Sequence, residues 1–459
     1  MAVIIASTMS DSGKSTIVTG LSKLFHVKPF KAQNMSLNSY ATLDYGEIAF
    51  IQAYQSIGAG FSPERYMNPL LLKPSGNGLL EVIFFGESKG LFRPQDYYST
   101  LNYFWTEIEK NFSNEFIVES AGGIEPNFLD KDLALKVSAN FNVPIILVLD
   151  IDRGGAFTSA LGSYLSLPVS LREKLRGFII NKFRGDEKFL EPGIKWVEER
   201  TNMKYLGSLP YFEEPLIMPE DSMNLNEVGN GEMEVSIIAY PQMSNFNEFY
   251  ALNNSNAHLK FVKKPTQITD SDLVILPGSK NTIKSLEWLK SRGFTDFLKR
   301  KPVLGICGGF QIMGSKMIDN SGGLELGDVN QVDGLGLFGI NTVYEKEKVV
   351  SLSSAQLGIE GYEIRRGRIE YINEEPLTYI TRRGKMTVYV PDGVLKGDKL
   401  GLSIHGSMFS PGGKKVLSEV FGLKIYAEDL ETEIKKQVDN LSRVLKQHVD
   451  VDKIYELYI

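Results

Sequence analysis

The chain reads as an α/β protein made of two mostly parallel sheets in series, and three observations predict this. Short β-branched runs alternate with helical stretches along almost its whole length. An N-terminal apolar run passes through a Ser/Gly-rich loop into an amphipathic stretch. Far downstream, a second apolar run stops at a cysteine flanked by glycines.

Residues 2–6 (AVIIA) form the first strand, residues 7–16 (STMSDSGKST) a phosphate loop, and 17–25 an amphipathic helix. In that context Ser12, Gly13, Lys14, Ser15 and Thr16 are expected to cradle a nucleotide. Backbone N–H groups and a helix N-terminus hold phosphate, Lys14 neutralises it, and Ser15 ligates Mg²⁺. Thr8 stands where the first glycine of the general G-x-x-x-x-G-K-[ST] pattern belongs; the competing reading is a Ser/Gly turn that only caps a helix. A helix is expected over 47–59, and strands over 116–119, 144–150 and 177–182. Polar residues at carboxyl ends of parallel strands face the ligand crevice, which makes Glu119 a Mg²⁺ holder and Asn181 a reader of the nucleotide base.

Residues 222–234, rich in Asn, Glu and Gly, read as a linker, and a new α/β series starts at 235–239. The expected division is therefore 1–228, 235–427, and a charged C-terminal helix over 428–459. That helix carries Leu430, Ile434, Val438, Leu441 and Leu445 on one face, as a packing or dimer element does.

In the second unit, VLGICGGFQ (303–311) predicts a strand, a sharp turn and a helix, the geometry of a nucleophile elbow at Cys307. A buried, inert cysteine would not need glycines beside it. Of the four histidines, His26 suits a helix end, His258 a loop and His448 a solvated helix. His405 closes a short strand (LGLSIH, 400–405) before Gly406 and is placed to hold the thiol as thiolate and protonate a leaving amine. Gly278, after the strand at 273–276, and Gly308 or Gly309 are the expected oxyanion N–H donors. No carboxylate presents itself clearly as a third member; Glu363 and Glu370 are the two considered.

Composition limits the alternatives. A chain of 459 residues predicts two domains, and 42% hydrophobic with 23% charged residues is ordinary for a globular protein. A net charge of −6 offers no field for nucleic acid or an anionic membrane. One cysteine excludes an internal disulfide framework and a Cys-rich zinc or iron–sulfur site. The apolar run at 143–149 is too short to span a bilayer, and no charged leader precedes the first strand, so a cytoplasmic protein is expected.

Five stretches together resemble one family: KAQNMSLNS (31–39), DIDRGG (150–155), NKFRGD (181–186), LPGSKNT (276–282) and GICGG (305–309) are similar to the glutamine-dependent cobyric acid synthases of cobalamin biosynthesis. The resemblance covers residues 1 to about 410. It implies an N-terminal ATP-using domain similar to dethiobiotin synthetase, followed by a class I-like glutaminase domain. It also implies a corrinoid substrate, adenosylcobyrinic acid a,c-diamide, amidated at its b, d, e and g carboxylates with glutamine as nitrogen donor. The family's nucleophile falls on Cys307 and its histidine on His405, usually as a dyad. Ser7 and Ser120 replace usual glycines, and Arg365 a common histidine. A polyanionic substrate calls for local basic groups, for which Lys31, Lys73 and Arg153 are expected. The alternatives are the a,c-diamide synthase of the same pathway, a nucleotide switch with a degenerate glutaminase module, and a cysteine hydrolase regulated by its N-terminal domain.

Overall fold

The computed structural model describes residues 2–76, 78–213, 216–218, 229, 231–325 and 330–458. In the N-terminal unit six parallel strands run in the order Lys204–Pro210, Leu175–Phe183, Ile145–Asp150, Val3–Ser7, Phe116–Glu119, Lys28–Phe30. Strand Val3–Ser7 is buried throughout, which is why it reads as a continuous apolar run rather than an alternating one. Glu119, Asp150 and Asn181 lie at or near the carboxyl ends of their strands, on the side from which the phosphate loop leaves Ser7.

The second unit has a sheet in the order Ala257–Val262, Met233–Ile238, Leu273–Leu276, Val303–Ile306, Lys399–Leu402, Val394–Lys396, parallel except for the last pair. Strands Val303–Ile306 and Lys399–Leu402 are neighbours, with Ile306 opposite Leu402. This register brings Cys307 and His405 to the same end of the sheet.

Two mixed, mainly antiparallel sheets were not foreseen. One joins Gln33–Met35 to Leu70–Gly76, Leu79–Phe84 and Glu87–Phe92; the other is built on the long pair Ile340–Ala355 and Glu360–Tyr371. Three expectations need correction. Residues Glu47–Ala49 pair with Ser39–Ala41 before the helix Phe50–Ala59 begins. His258 is on strand Ala257–Val262 rather than in a loop, 2.9 Å from Glu234. In the presumed linker, Met233 and Glu234 already belong to a strand; residues 222–228 and 230, with the expected boundary at 228, lie outside the described residues.

The tail, expected as one helix over 428–459, is two, Leu430–His448 and Val451–Tyr458, broken at the extended Val449, and the first packs back on its own chain. Ile434, Val438, Leu441 and Leu445 are buried against the helices Lys14–Phe25 and Phe50–Ala59. Gly20 and Gly58 leave room for it: a Cβ there would sit 2.7 Å from Leu445 and 2.4 Å from Val438. Tyr54 donates to Gln437 at 2.7 Å. Leu445→Ala is expected to lower unfolding free energy by about 2–5 kcal/mol, read as a lower urea midpoint.

Between the units lies a buried ionic cluster. Glu47 takes Lys73 at 2.6 Å and Lys348 at 2.5 Å; Glu81 takes Lys280 and Arg366, each at 3.0 Å. Burial alone would raise the Glu47 carboxyl, but the Lys348 and Lys73 ammonium groups outweigh it and hold it at about 2. The same contest leaves Glu363, beside Arg365 and Arg383, at about 2. Both folded values lie below the unfolded one, so their stabilisation is complete above about pH 4.5 and disappears as pH falls through about 2. A pH series of urea unfolding should show Glu47→Gln and Glu363→Gln costing stability at pH 7 and little at pH 2.

Candidate active sites

The phosphate loop is held from several sides. Gly13 has φ 96°, a conformation that favours glycine, and a Cβ there would fall 2.0 Å from the Asn181 amide nitrogen. That nitrogen donates to the Ser12 carbonyl at 2.8 Å, so the residue expected to read a base buttresses the loop itself. Ser12 Oγ donates to the Met9 carbonyl at 2.9 Å, and Thr16 is half-buried in the first turn of the following helix. Lys14 Nζ donates to Ser7 Oγ at 2.8 Å, and Ser7 Oγ donates to the Met9 carbonyl at 2.6 Å. The serine that replaces a family glycine therefore holds the lysine expected to bind phosphate.

Ser15 Oγ donates to Glu119 Oε1 at 2.9 Å; Lys31 meets the same oxygen at 2.7 Å, and Gln55 donates to Oε2 at 2.8 Å. Burial would raise the Glu119 carboxyl, but Lys31 and these hydrogen bonds lower it. A hydroxyl and an ionised carboxylate side by side suit Mg²⁺, which takes one or two protein oxygens and completes its shell with phosphate and water. With Lys31 already on Glu119, ligation through water fits better than direct ligation. Thr8 Oγ1, buried with no hydrogen-bond partner among the described residues, fits a loop that receives phosphate oxygens.

The positions of the proposed basic residues also need correcting. Lys31 and Lys73 are buried and paired, to Glu119 and Glu47, and belong to the interior. Arg153 is exposed, 3.6 Å from both Asp11 and Asp150. Lys182 bonds Asp150 at 2.7 Å at the same rim.

In the second site Cys307 has φ 49° and ψ −105°, the strained turn of an elbow, and the helix Gly308–Met313 begins immediately after it. Cys307 is 6% exposed. His405 lines the same cavity as the thiol, and Tyr362 stacks on the imidazole at 5.4 Å. Gly278 lies against the other edge of that ring, where a Cβ would come within 2.6 Å of Cε1. Gly308 abuts Ser279, and Gly309 packs so closely on Leu276 that a Cβ would meet its carbonyl at 1.9 Å. All three glycines border the thiol's turn. The cavity there, about 40 Å³, has room for a water-sized molecule and is lined by Cys307, His405, Ser279, Gln311, Lys73 and Lys280 among others.

Neither carboxylate named from sequence approaches His405. Glu363 is bound to Arg365, Arg383 and Ser353, and Glu370 is exposed. The carboxylate at the imidazole is Glu248, whose Oε1 lies 2.7 Å from Nδ1. Sequence reasoning missed it because nothing in FNEFYALNN, a 3₁₀ segment, marks a strand end or turn. Burial would lower the His405 pKa, but the Cys307 thiolate and Glu248 raise it to about 10.

Residues 3–225 match the family described as the CobQ/CobB/MinD/ParA nucleotide binding domain, and residues 234–413 match the CobB/CobQ-like glutamine amidotransferase domain. Among curated relatives, the cobyric acid synthase of Clostridium botulinum (strain Okra / Type B1) is 34% identical, covering 99% of each chain. A cobyric acid synthase of Dehalococcoides mccartyi (strain CBDB1) is 32% identical, covering 99% of this chain and 98% of its own. A probable cobyric acid synthase of Thermococcus kodakarensis is 35% identical, covering 99% of both. With a nucleotide-binding unit and an amidotransferase unit matched in order, and relatives aligned end to end, this chain belongs to the cobyric acid synthase family.

Proposed function

We propose that the chain is a glutamine-hydrolysing, ATP-dependent ligase that amidates the b, d, e and g carboxylates of adenosylcobyrinic acid a,c-diamide, one ATP and one glutamine for each. The observation that carries this reading is one segment, residues 31–39, that touches both centres. Lys31 pairs with Glu119 beside the phosphate loop, and the Ser39 N–H donates to Asn245 beside the glutaminase elbow.

A carboxylate is a poor electrophile, so the N-terminal site activates it by phosphoryl transfer from ATP. Lys14 and the loop N–H groups stabilise the charge on the transferring group. Mg²⁺, held by Ser15 and through water by Glu119, supplies further neutralisation when bound. In the second site Cys307 attacks the glutamine amide, His405 protonates the departing ammonia, and water then hydrolyses the thioester to glutamate. Gly278 with Gly308 or Gly309 supplies oxyanion donors, each worth about 3–4 kcal/mol. Ammonia must reach the acyl phosphate unprotonated, which calls for a protected path between the units.

Residues 1–228 serve as the amidoligase, 235–427 as the glutaminase, and 428–459 as a brace on the former. Substrate profiling tests the reading against the a,c-diamide synthase alternative. Cobyrinic acid a,c-diamide in its adenosyl form should be amidated with Mg-ATP and glutamine; product from unamidated cobyrinic acid alone would overturn it.

A further inference from the structure

Glu248 has no role in the dyad described for the family, yet its setting is that of a built site. It is 3% exposed and His405 1%. One carboxylate oxygen lies 2.7 Å from His405 Nδ1, and the other accepts the Gly406 N–H at 3.0 Å. The group therefore fixes both the ring and the backbone that carries it. Accepting a hydrogen bond from Nδ1–H leaves Nε2 to serve the thiol, and the negative charge stabilises the imidazolium that forms.

The second observation concerns what holds Glu248. Three residues before it, Asn245 takes a left-handed conformation, φ 55°, and its Oδ1 accepts the Ser39 N–H at 2.8 Å. The Phe246 N–H donates to Asn38 Oδ1 at 3.4 Å. Asn38 and Ser39 belong to the N-terminal unit, on the segment whose Lys31 pairs with Glu119.

We propose that Glu248 is the positioning residue of the glutaminase, completing a Cys307–His405–Glu248 triad whose carboxylate is delivered by a segment pinned to the amidoligase unit. The proposal rests on the glutaminase reading above and adds a third group and its support. The charged and titratable groups facing this pair are Glu248, Tyr240, Tyr344, Tyr362 and Arg365, with Lys73 and Lys280 on the cavity wall.

Because Cys307 is the sole cysteine, alkylation of the intact chain by iodoacetamide reports its thiolate directly, with no substrate present. Glu248→Gln should move the alkylation pH profile upward and slow the reaction at pH 7 by about tenfold. It should lower glutaminase kcat by about 10²–10⁴ with KM for glutamine little changed, and Glu248→Asp should restore part of the loss. Asn38→Ala should act in the same direction, more weakly; this variant and Glu248→Asp carry the test if Glu248→Gln does not fold. A folded variant whose alkylation profile superimposes on that of the parent overturns the proposal. A shifted profile in a chain that never hydrolyses glutamine keeps the positioning role and overturns the reading beneath it.

Discussion

Cys307→Ala should abolish glutamine-driven amidation, a fall on the order of 10⁴ or more, and leave ammonium-driven amidation intact. In the proposed mechanism the thiol bonds to the glutamine carbonyl, and no second cysteine exists to replace it. The substitution removes one sulfur from a buried elbow and leaves the backbone turn to its glycine neighbours. The phosphate loop is built by other strands in another sheet, so it should not register the change. Steady-state rates with glutamine and with ammonium chloride, measured on the same preparation, check this. Equal loss of both activities would mean that the two centres are not separate.

Lys14→Ala should have the complementary effect. Both nitrogen sources should lose about 10²–10³ in kcat, because activation of the carboxylate precedes the use of either. Lys14 is buried and bonded to Ser7, so its ammonium is already oriented toward the loop. Glutamine hydrolysis measured without acceptor should survive, since Cys307, His405 and Glu248 are untouched. Loss of that hydrolysis would show that the nucleotide site controls the thiol, a stronger coupling than the segment 31–39 requires.

Much of this was legible in the sequence because parallel α/β sheets write their sites at strand ends. An apolar run that stops at Glu119, Asn181 or Cys307 states both the strand and the position of the polar residue. The tail helix was equally plain, since its apolar residues recur at helical spacing. What remained hidden depends on contacts between distant segments. Glu248 sits in a 3₁₀ turn and meets His405 only through the fold. Lys31 and Lys73 look like surface charge until Glu119 and Glu47 are seen beside them. The antiparallel sheet over 340–392 eluded the reading because its strands mix exposed and buried positions irregularly around bulges.

The central claim is that one polypeptide strips nitrogen from glutamine at Cys307 and delivers it to a carboxylate energised at Lys14. Mass spectrometry of the corrinoid, after incubation with Mg-ATP, amide-¹⁵N glutamine and excess ¹⁴N ammonium at neutral pH, tests it most directly. Four successive amidations carrying predominantly ¹⁵N are expected; no mass step with glutamine, or product labelled only from bulk ammonium, would contradict it.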